Sequence, residues 1–247
     1  MSGARLALAV PGAPAATVLT AARAAEAANL DALVIGDPGR TLPNSDDSYV
    51  LTTAGAVATV TADLRLCLAL DLRGSAPPLR VAEDLGVLDV MSGGRVELLL
   101  SPGEDDRWRS DLALVLAAWT GWPMPDGSAA PVTPAPVQPA LPGWLVDGDT
   151  ASCLRGGRGV VFVDWPGTVP DVDALLEIRE RRERAGAATV VVRAHGVAAE
   201  ELPAVVRVLG IVVGPCLRCP RDEVPILCAD ATDWLLHRTD LHEPPPR

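Results

Sequence analysis

Acidic side chains stand at or just after the ends of several short apolar runs in this chain. Asp37, Asp71, Asp147 and Asp164 follow four such runs, and His195 follows another. If these runs are strands of one parallel barrel, their carboxyl ends meet at the face where barrel enzymes place their active sites. His195 is then the candidate catalytic base, with Asp164 to orient its ring; a solvent-facing histidine is the alternative. Each aspartate could instead cap the helix that follows it.

The cysteines are a second group that could do chemistry. Cys216 and Cys219 have the two-residue spacing that lets two thiolates meet one zinc ion, and Cys228, His237 or His242 could complete such a site. The chain has no second pair with this spacing, and such pairs also occur by chance in loops. We therefore predict no metal. An odd count of five cysteines favours a reducing, cytoplasmic setting.

Composition limits the classes of partner. The chain has 247 residues, 49% of them hydrophobic, and a formal net charge of −11. Such a charge argues against nucleic-acid binding, which needs a clustered basic surface. No apolar run approaches the roughly 20 residues of a membrane span. The apolar start, Ala4 to Val10, is short and is interpreted as a strand and not as a signal peptide. The expected partner is a small molecule.

The clearest local pattern lies between Pro78 and Leu100. Apolar residues recur every three positions from Leu79 to Met91, which predicts an amphipathic helix. Gly93 and Gly94 then end the helix, because glycine accepts the left-handed conformation common at helix C-termini. A short apolar strand follows from position 96. The segment is typical of one helix-turn-strand unit of an α/β barrel.

Eight strand-helix pairs can be counted along the chain. The predicted strands lie near 5–10, 31–36, 64–70, 95–100, 143–147, 159–164, 188–194 and 209–213. Eight such units predict a (β/α)8 TIM barrel, with a single domain over 1–242 and a disordered tail over 243–247. An open doubly wound sheet is the alternative, but the first strand-helix turn lacks the dinucleotide-binding glycine pattern. Residues 121–142, rich in proline and glycine, are interpreted as a loop across the barrel.

Three segments of the chain resemble the bacterial luciferase-like monooxygenase family. They are residues 82–98 with their Ser-Gly-Gly-Arg turn, residues 21–37, and residues 133–146 around Gln138. The resemblance implies a TIM barrel that uses reduced flavin mononucleotide or a reduced deazaflavin. It also implies an oxidoreductase, such as a monooxygenase, acting on a small organic substrate. Members of the family commonly dimerise, so a homodimer or a complex with a protein partner is open.

The resemblance also implies a cofactor site, from which this chain departs. Relatives hold the flavin phosphate at a glycine-rich turn, whereas here Leu98–Leu100, Ser101 and Pro102 precede Gly103 and three acids. A second anion site would lie at a helix beginning near Thr150. Acids around the mouth repel an anionic cofactor unless arginines or amide donors offset them. The candidate cofactor-binding residues are Ala69, Leu70, Ser101, Gly103, Thr150 and Ser152.

Two functions of different classes follow from these observations. The first is a luciferase-like oxidoreductase with an eroded cofactor phosphate site. The second is a catalytically inactive barrel without cofactor that serves as a binding or subunit-partner protein. Leu99 and Pro102 favour the second, because they stand where close approach of a phosphate needs glycine and free N–H groups.

Overall fold

The computed structural model describes residues 4–37, 47–72, 76–102, 107–121, 131–154 and 158–228. Eight strands form a closed barrel in chain order. They are β1 (Arg5–Ala9), β2 (Ala32–Ile35), β3 (Arg65–Leu70), β4 (Val96–Leu100), β5 (Gly143–Asp147), β6 (Thr150–Cys153), β7 (Gly159–Asp164) and β8 (Ala187–Arg193). Every neighbouring pair is parallel except the two that involve β6. The predicted α/β barrel is confirmed, and the open-sheet alternative is wrong.

Helices surround the barrel. The long helices are α1 (Ala15–Ala27), α2 (Asp47–Val60), α3 (Pro78–Ser92), α4 (Arg107–Thr120) and α5 (Val172–Arg184). After β8 come α6 (Leu202–Val208), a π-helical turn (Leu209–Val213), α7 (Gly214–Arg218) and a 3-10 turn (Arg221–Glu223), and residues 224–228 are again helical. No helix in the described ranges is both long enough and apolar enough to span a bilayer. The predicted tail, 243–247, lies outside the described residues.

Two of the predicted elements are wrong. The run 209–213 is a π-helical turn and not the eighth strand. Its buried side chains continue the helical spacing of α6 and α7, and Gly210 lies so close to α1 that an added Cβ would be 2.9 Å from the carbonyl oxygen of Ala28. The helix predicted to begin near Thr150 is instead strand β6. A two-residue turn, with Gly148 at φ +57°, folds β6 back antiparallel onto β5.

Side chains alternate between the inside of the barrel and the layer between sheet and helices. The inner cluster is lined mainly by small and branched residues from every strand, with three larger members, Leu99, Trp144 and Phe162. The outer layer takes the other phase of each strand, for example Leu68 and Leu98, and packs against the helices. The alternation therefore decides which strand-end residues reach the barrel mouth.

The predicted helix-turn-strand unit is confirmed, and Arg95 joins it to α2. Gly93 has φ +70° at the end of α3, and β4 begins at Val96. Arg95 is buried and donates to the carbonyl oxygens of Ala58, Thr61 and Leu64, at 2.8 to 3.1 Å. It therefore satisfies carbonyl groups at and just beyond the end of α2, which lack helical partners of their own.

Gln138 fastens the described part of the loop 121–142 to the barrel. Its side-chain nitrogen donates to Asp89 Oδ1 at 2.7 Å and to the carbonyl oxygen of Val96 at 2.8 Å. Its backbone N–H donates to Asp89 Oδ2 at 2.9 Å, and its Oε1 accepts from Arg65 at 3.0 Å. Residues 131–142 therefore lie against the amino-terminal end of the barrel, as a connecting loop and not as a linker.

Candidate functional site at the barrel mouth

The mouth is formed by the carboxyl ends of the seven parallel strands and by the β5–β6 turn. The inner phase of β1 and β3 ends in Ala9 and Ala69, which are small. On the opposite side, the inner phase of β7 and β8 ends in Asp164 and Arg193, and Phe162 precedes Asp164 in the same phase. The mouth is therefore apolar and lined by small side chains towards β1–β3, and charged towards β7–β8.

Arg193 is the central cation of the mouth. Its Nε donates to Asp164 Oδ1 at 2.8 Å, and its Nη2 donates to Asp149 Oδ1 at 2.8 Å. The guanidinium lies 5.7 Å from the centre of the Phe162 ring, within cation–π range, and the side chain is only 15% exposed. Arg181 of α5 adds a second cation, 3.5 Å from Asp149 Oδ2. These arginines offset two carboxylates of the predicted acidic mouth.

Sequence reasoning did not single out Arg193, although a signal was present. Thr189, Val191 and Arg193 share one phase of β8, and the buried Val191 belongs to the inner cluster. The period of two therefore predicts an inward arginine at the strand end.

His195 lies next to Asp164, as predicted from the strand order. Its Nε2 is 3.4 Å from Asp164 Oδ1, and 46% of its side chain is exposed. Asp164 is thus shared between Arg193 and His195, which holds its carboxylate in place. The arrangement can orient the imidazole ring and keep its other nitrogen available to a ligand in the mouth. The catalytic role of His195 stays a prediction.

The other predicted acids divide into two groups. Asp37 and Asp71 follow β2 and β3, and each has an interaction partner. Asp147 ends β5 and is exposed, and its carbonyl oxygen accepts from Thr150 Oγ1 at 3.1 Å. For Asp71, Asp147 and Asp164 the helix-cap alternative is wrong. Pro77 occupies the cap position of α3, Asp171 that of α5, and a strand follows Asp147.

The predicted cofactor residues of β3 and β4 are near one another. Ala69 packs against the inner cluster. The side chain of Leu70 is buried in the outer layer, so that only the backbone of Leu70 faces the end of β4. The backbone N–H of Ser101 donates to the carbonyl oxygen of Leu70 at 3.3 Å. Gly103 lies outside the described residues.

Thr150 and Ser152 do not face the barrel mouth with the residues of β3 and β4. They alternate with Ala151 and Cys153, which face the inner cluster, so their exposed side chains point away from the barrel interior. Because β6 is a strand, no helix N-terminus is present there to hold an anion. The prediction of a second phosphate site at Thr150 depended on a helix N-terminus and is therefore wrong.

The described end of β4 does not fit a phosphate. The N–H of Ser101 is already bonded, Pro102 has no N–H, and Leu99 fills the inner phase with a buried side chain. A phosphate cradle needs several convergent backbone N–H groups. Ala9 and Ala69, in contrast, give the β1–β3 side of the mouth an apolar surface, which is the kind of surface that contacts ring-shaped ligands.

The two cysteines with two-residue spacing do not lie at the mouth. Cys216 is in α7, and Cys219 directly follows that helix. Burial raises the pKa of the Cys216 thiol to about 12, and burial also raises that of Cys219. Within the described ranges, no three metal-ligating side chains come together. His237 and His242 lie outside these ranges. Both thiols are therefore protonated at neutral pH and poor nucleophiles.

Comparison with known proteins supports the resemblance and the fold. The family model of the luciferase-like monooxygenases matches residues 2–107, which contain β1 to β4. No curated protein sequence matches the chain.

Solved structures show the same fold at low sequence identity. The monooxygenase RslO1 from Streptomyces bottropensis is 13% identical, with a TM-score of 0.55 over 82% of this chain and 97% of its own. The coenzyme F420 dependent tetrahydromethanopterin reductase from Methanopyrus kandleri is 16% identical, with a TM-score of 0.50 over 78% of this chain and 65% of its own. Over residues 2–107, the chain is therefore similar to the luciferase-like monooxygenase family.

Proposed function

We propose that this protein is a flavin- or deazaflavin-dependent oxidoreductase of the luciferase-like type, acting on a small organic substrate at the barrel mouth. The observation that carries the proposal is the family match over β1 to β4. These strands supply the apolar half of the mouth, which ends in the small side chains of Ala9 and Ala69. The printed name of one structural neighbour, a coenzyme F420 dependent reductase, makes a deazaflavin as reasonable a cofactor as flavin mononucleotide.

In the proposed site, Ala69 and Ser101 lie along one edge of the cofactor, with Leu70 contributing its backbone. Arg193 and His195 face them across the mouth, and Asp164 orients both. Arg193 reduces the repulsion that the acids at the mouth would exert on an anionic ligand. Thr150 and Ser152 point outwards, so we leave them out of the site.

We also propose that the cofactor phosphate site is eroded. Supporting this are the bonded N–H of Ser101, the missing N–H of Pro102 and the strand conformation at Thr150. The same observations favour the second candidate function, a barrel without cofactor that binds a protein partner. The two candidates differ in one measurable property, the affinity for flavin.

A fluorescence titration of the full-length protein with flavin mononucleotide and with a deazaflavin, each oxidised and reduced, tests the proposal. We expect saturable binding that Ser101→Asp weakens by about tenfold or more, because a carboxylate would then face the cofactor. Ser152→Asp is the matched control, since it adds the same charge on the outer face of β6.

The titration separates the two candidates. Equal effects of Ser101→Asp and Ser152→Asp would show that the cofactor does not lie at the end of β4. The absence of binding of both compounds in both redox states would refute the oxidoreductase and make the cofactor-free barrel the working function.

A further inference from the structure

A second cleft, of about 370 Å³, opens near the amino-terminal ends of β1, β2 and β3. Because the strands are parallel, this is the end of the barrel opposite the mouth. Its volume is at the lower end of the range of small-molecule pockets, about 300 to 1,000 Å³. It is lined by arginine and by acidic side chains, so its ligand must be polar.

Two arginines form the floor of this cleft, and one carboxylate lies behind them. Arg5 Nη2 lies 3.1 Å from Glu97 Oε1, and Arg65 Nε contacts the same oxygen. The Glu97 side chain is only 5% exposed, whereas those of Arg5 and Arg65 are 26% and 30% exposed. The carboxylate therefore lies inside the barrel, and the two guanidinium groups lie on its solvent side.

Arg5 retains hydrogen-bonding capacity. Among the described residues, all side-chain hydrogen bonds of Arg5 run from Nη2 to Glu97, at 3.1 and 3.3 Å. Its Nε and Nη1 therefore carry donors that have no acceptor in the described part of the protein. Arg65, in contrast, uses all three of its nitrogens, on Glu97, on the Gly94 carbonyl oxygen and on Gln138. Arg5 is thus the group of the floor that is prepared to bind a ligand.

The acids at the rim are mostly engaged by donors of their own. Glu26 accepts from the backbone N–H groups of residues 62, 63 and 64, at 2.7 to 2.9 Å. Asp31 accepts from the N–H of Leu6 at 2.7 Å and from Arg218 at 2.8 Å. Asp63 is the remaining acid at the rim. An anion entering the cleft meets the donors of Arg5, and it is opposed by the charge of Asp63 and by those of Glu26 and Asp31, which their own donors partly offset.

We propose that this cleft binds a small oxyanion, a carboxylate or a phosphate, on the guanidinium of Arg5. Guanidinium donors match the geometry of both groups, which can accept two N–H bonds at once. The site is separate from the mouth and does not depend on the cofactor.

The arginine Nε–H signals of the full-length protein in a nitrogen–proton NMR spectrum test the proposal. Acetate and inorganic phosphate are titrated separately at constant ionic strength, with chloride as the balancing anion. We expect a saturable shift of the Arg5 signal with one or both oxyanions, and the two titrations distinguish carboxylate from phosphate. A shift that does not saturate, or that chloride reproduces, would overturn the proposal.

Two variants add independent tests. Arg5→Gln should weaken binding by about tenfold or more, read from protein signals around the cleft. Asp63→Asn leaves the arginine floor intact and should strengthen binding, because it removes the opposing charge. Its control is Asp173→Asn, an exposed acid in the first turn of α5. If Arg5→Gln does not fold, the comparison of the two aspartate variants decides, and equal affinities would refute the site.

Discussion

Arg95 shows how a motif residue can serve the fold alone. It belongs to the Ser-Gly-Gly-Arg turn on which the family resemblance depends, but its guanidinium is buried against the end of α2 and not at the barrel mouth. Burial lowers the pKa of Arg95, and nearby Glu26 and Asp63 act in the opposite direction. The turn therefore indicates the fold, and the chemistry of the mouth must be argued from other residues.

Substitution of Arg95 should strongly lower the free energy of unfolding. Arg95→Met leaves buried carbonyl oxygens of Ala58, Thr61 and Leu64 without their donor. We expect a loss of about 3 to 5 kcal/mol in the free energy of unfolding, measured by urea denaturation. Arg80→Met removes only surface ion pairs with Asp84 and Glu83 and should change stability by less than about 0.5 kcal/mol. Similar losses in both variants would contradict this account.

Glu26 makes acid stability testable. Burial tends to raise its pKa, but three backbone N–H bonds and the charge of Arg95 together lower it below the ordinary value of 4.5. Its contribution to stability is therefore present above pH 4.5 and is lost as the pH falls through the lower, folded-state value. We expect Glu26→Gln to be less stable than the wild type at pH 7 and equal to it in strong acid. A difference independent of pH would rule out this linkage.

The β5–β6 hairpin is the element that distinguishes this barrel. An antiparallel strand stands where the sequence predicted a helix, so the chain passes from β5 to β7 without an intervening helix. Asp149, in the turn of the hairpin, meets Arg193 and Arg181, and its carbonyl oxygen accepts from the N–H of Phe162 at 2.8 Å. The turn thereby closes one side of the mouth.

The hairpin turn should tolerate only glycine well. Gly148 and Gly55 both have open space around a hypothetical Cβ, but Gly148 has φ +57° and Gly55 lies in helix α2. Gly148→Ala should therefore lower the free energy of unfolding by about 1 to 2 kcal/mol. Gly55→Ala should raise it by up to about 1 kcal/mol. Thermal and urea unfolding of the two variants check this, and equal signs would contradict it.

The closed barrel as a whole protects its interior. Cys67 belongs to the inner cluster, and burial raises the pKa of its thiol. A small cavity of about 10 Å³ lies beside it, enough for the centre of one water molecule and too small for a thiol reagent. Access to Cys67 therefore requires the barrel to open.

Thiol labelling can measure that opening. In a variant that keeps Cys67 as its only cysteine, we expect labelling at the rate of global unfolding. A variant that keeps only Cys219, which is partly exposed, should react faster. Denaturant should accelerate the labelling of Cys67 in proportion to its effect on unfolding. Labelling of Cys67 that does not respond to denaturant would show that the barrel opens locally.

Seven of the eight strands could be predicted from sequence, because alternating apolar runs and helical periodicity are local properties. The failures have a common physical cause. Short runs such as 209–213 and 150–153 suit both helix and strand, and packing decides between them. For the run 209–213, the missed signal was the helical spacing of apolar residues, which continues from Leu202 to Leu217.

The sequence by itself determined the alternating pattern of the first four strands, the resemblance to the luciferase-like monooxygenases and the order of the acids along the mouth. Only the tertiary structure decided which of those acids are compensated. Arg193 and Arg181 reach Asp149 and Asp164 because β8 and α5 are brought beside the hairpin by barrel closure. Such contacts join residues far apart in the chain and depend on strand register, which no local pattern encodes.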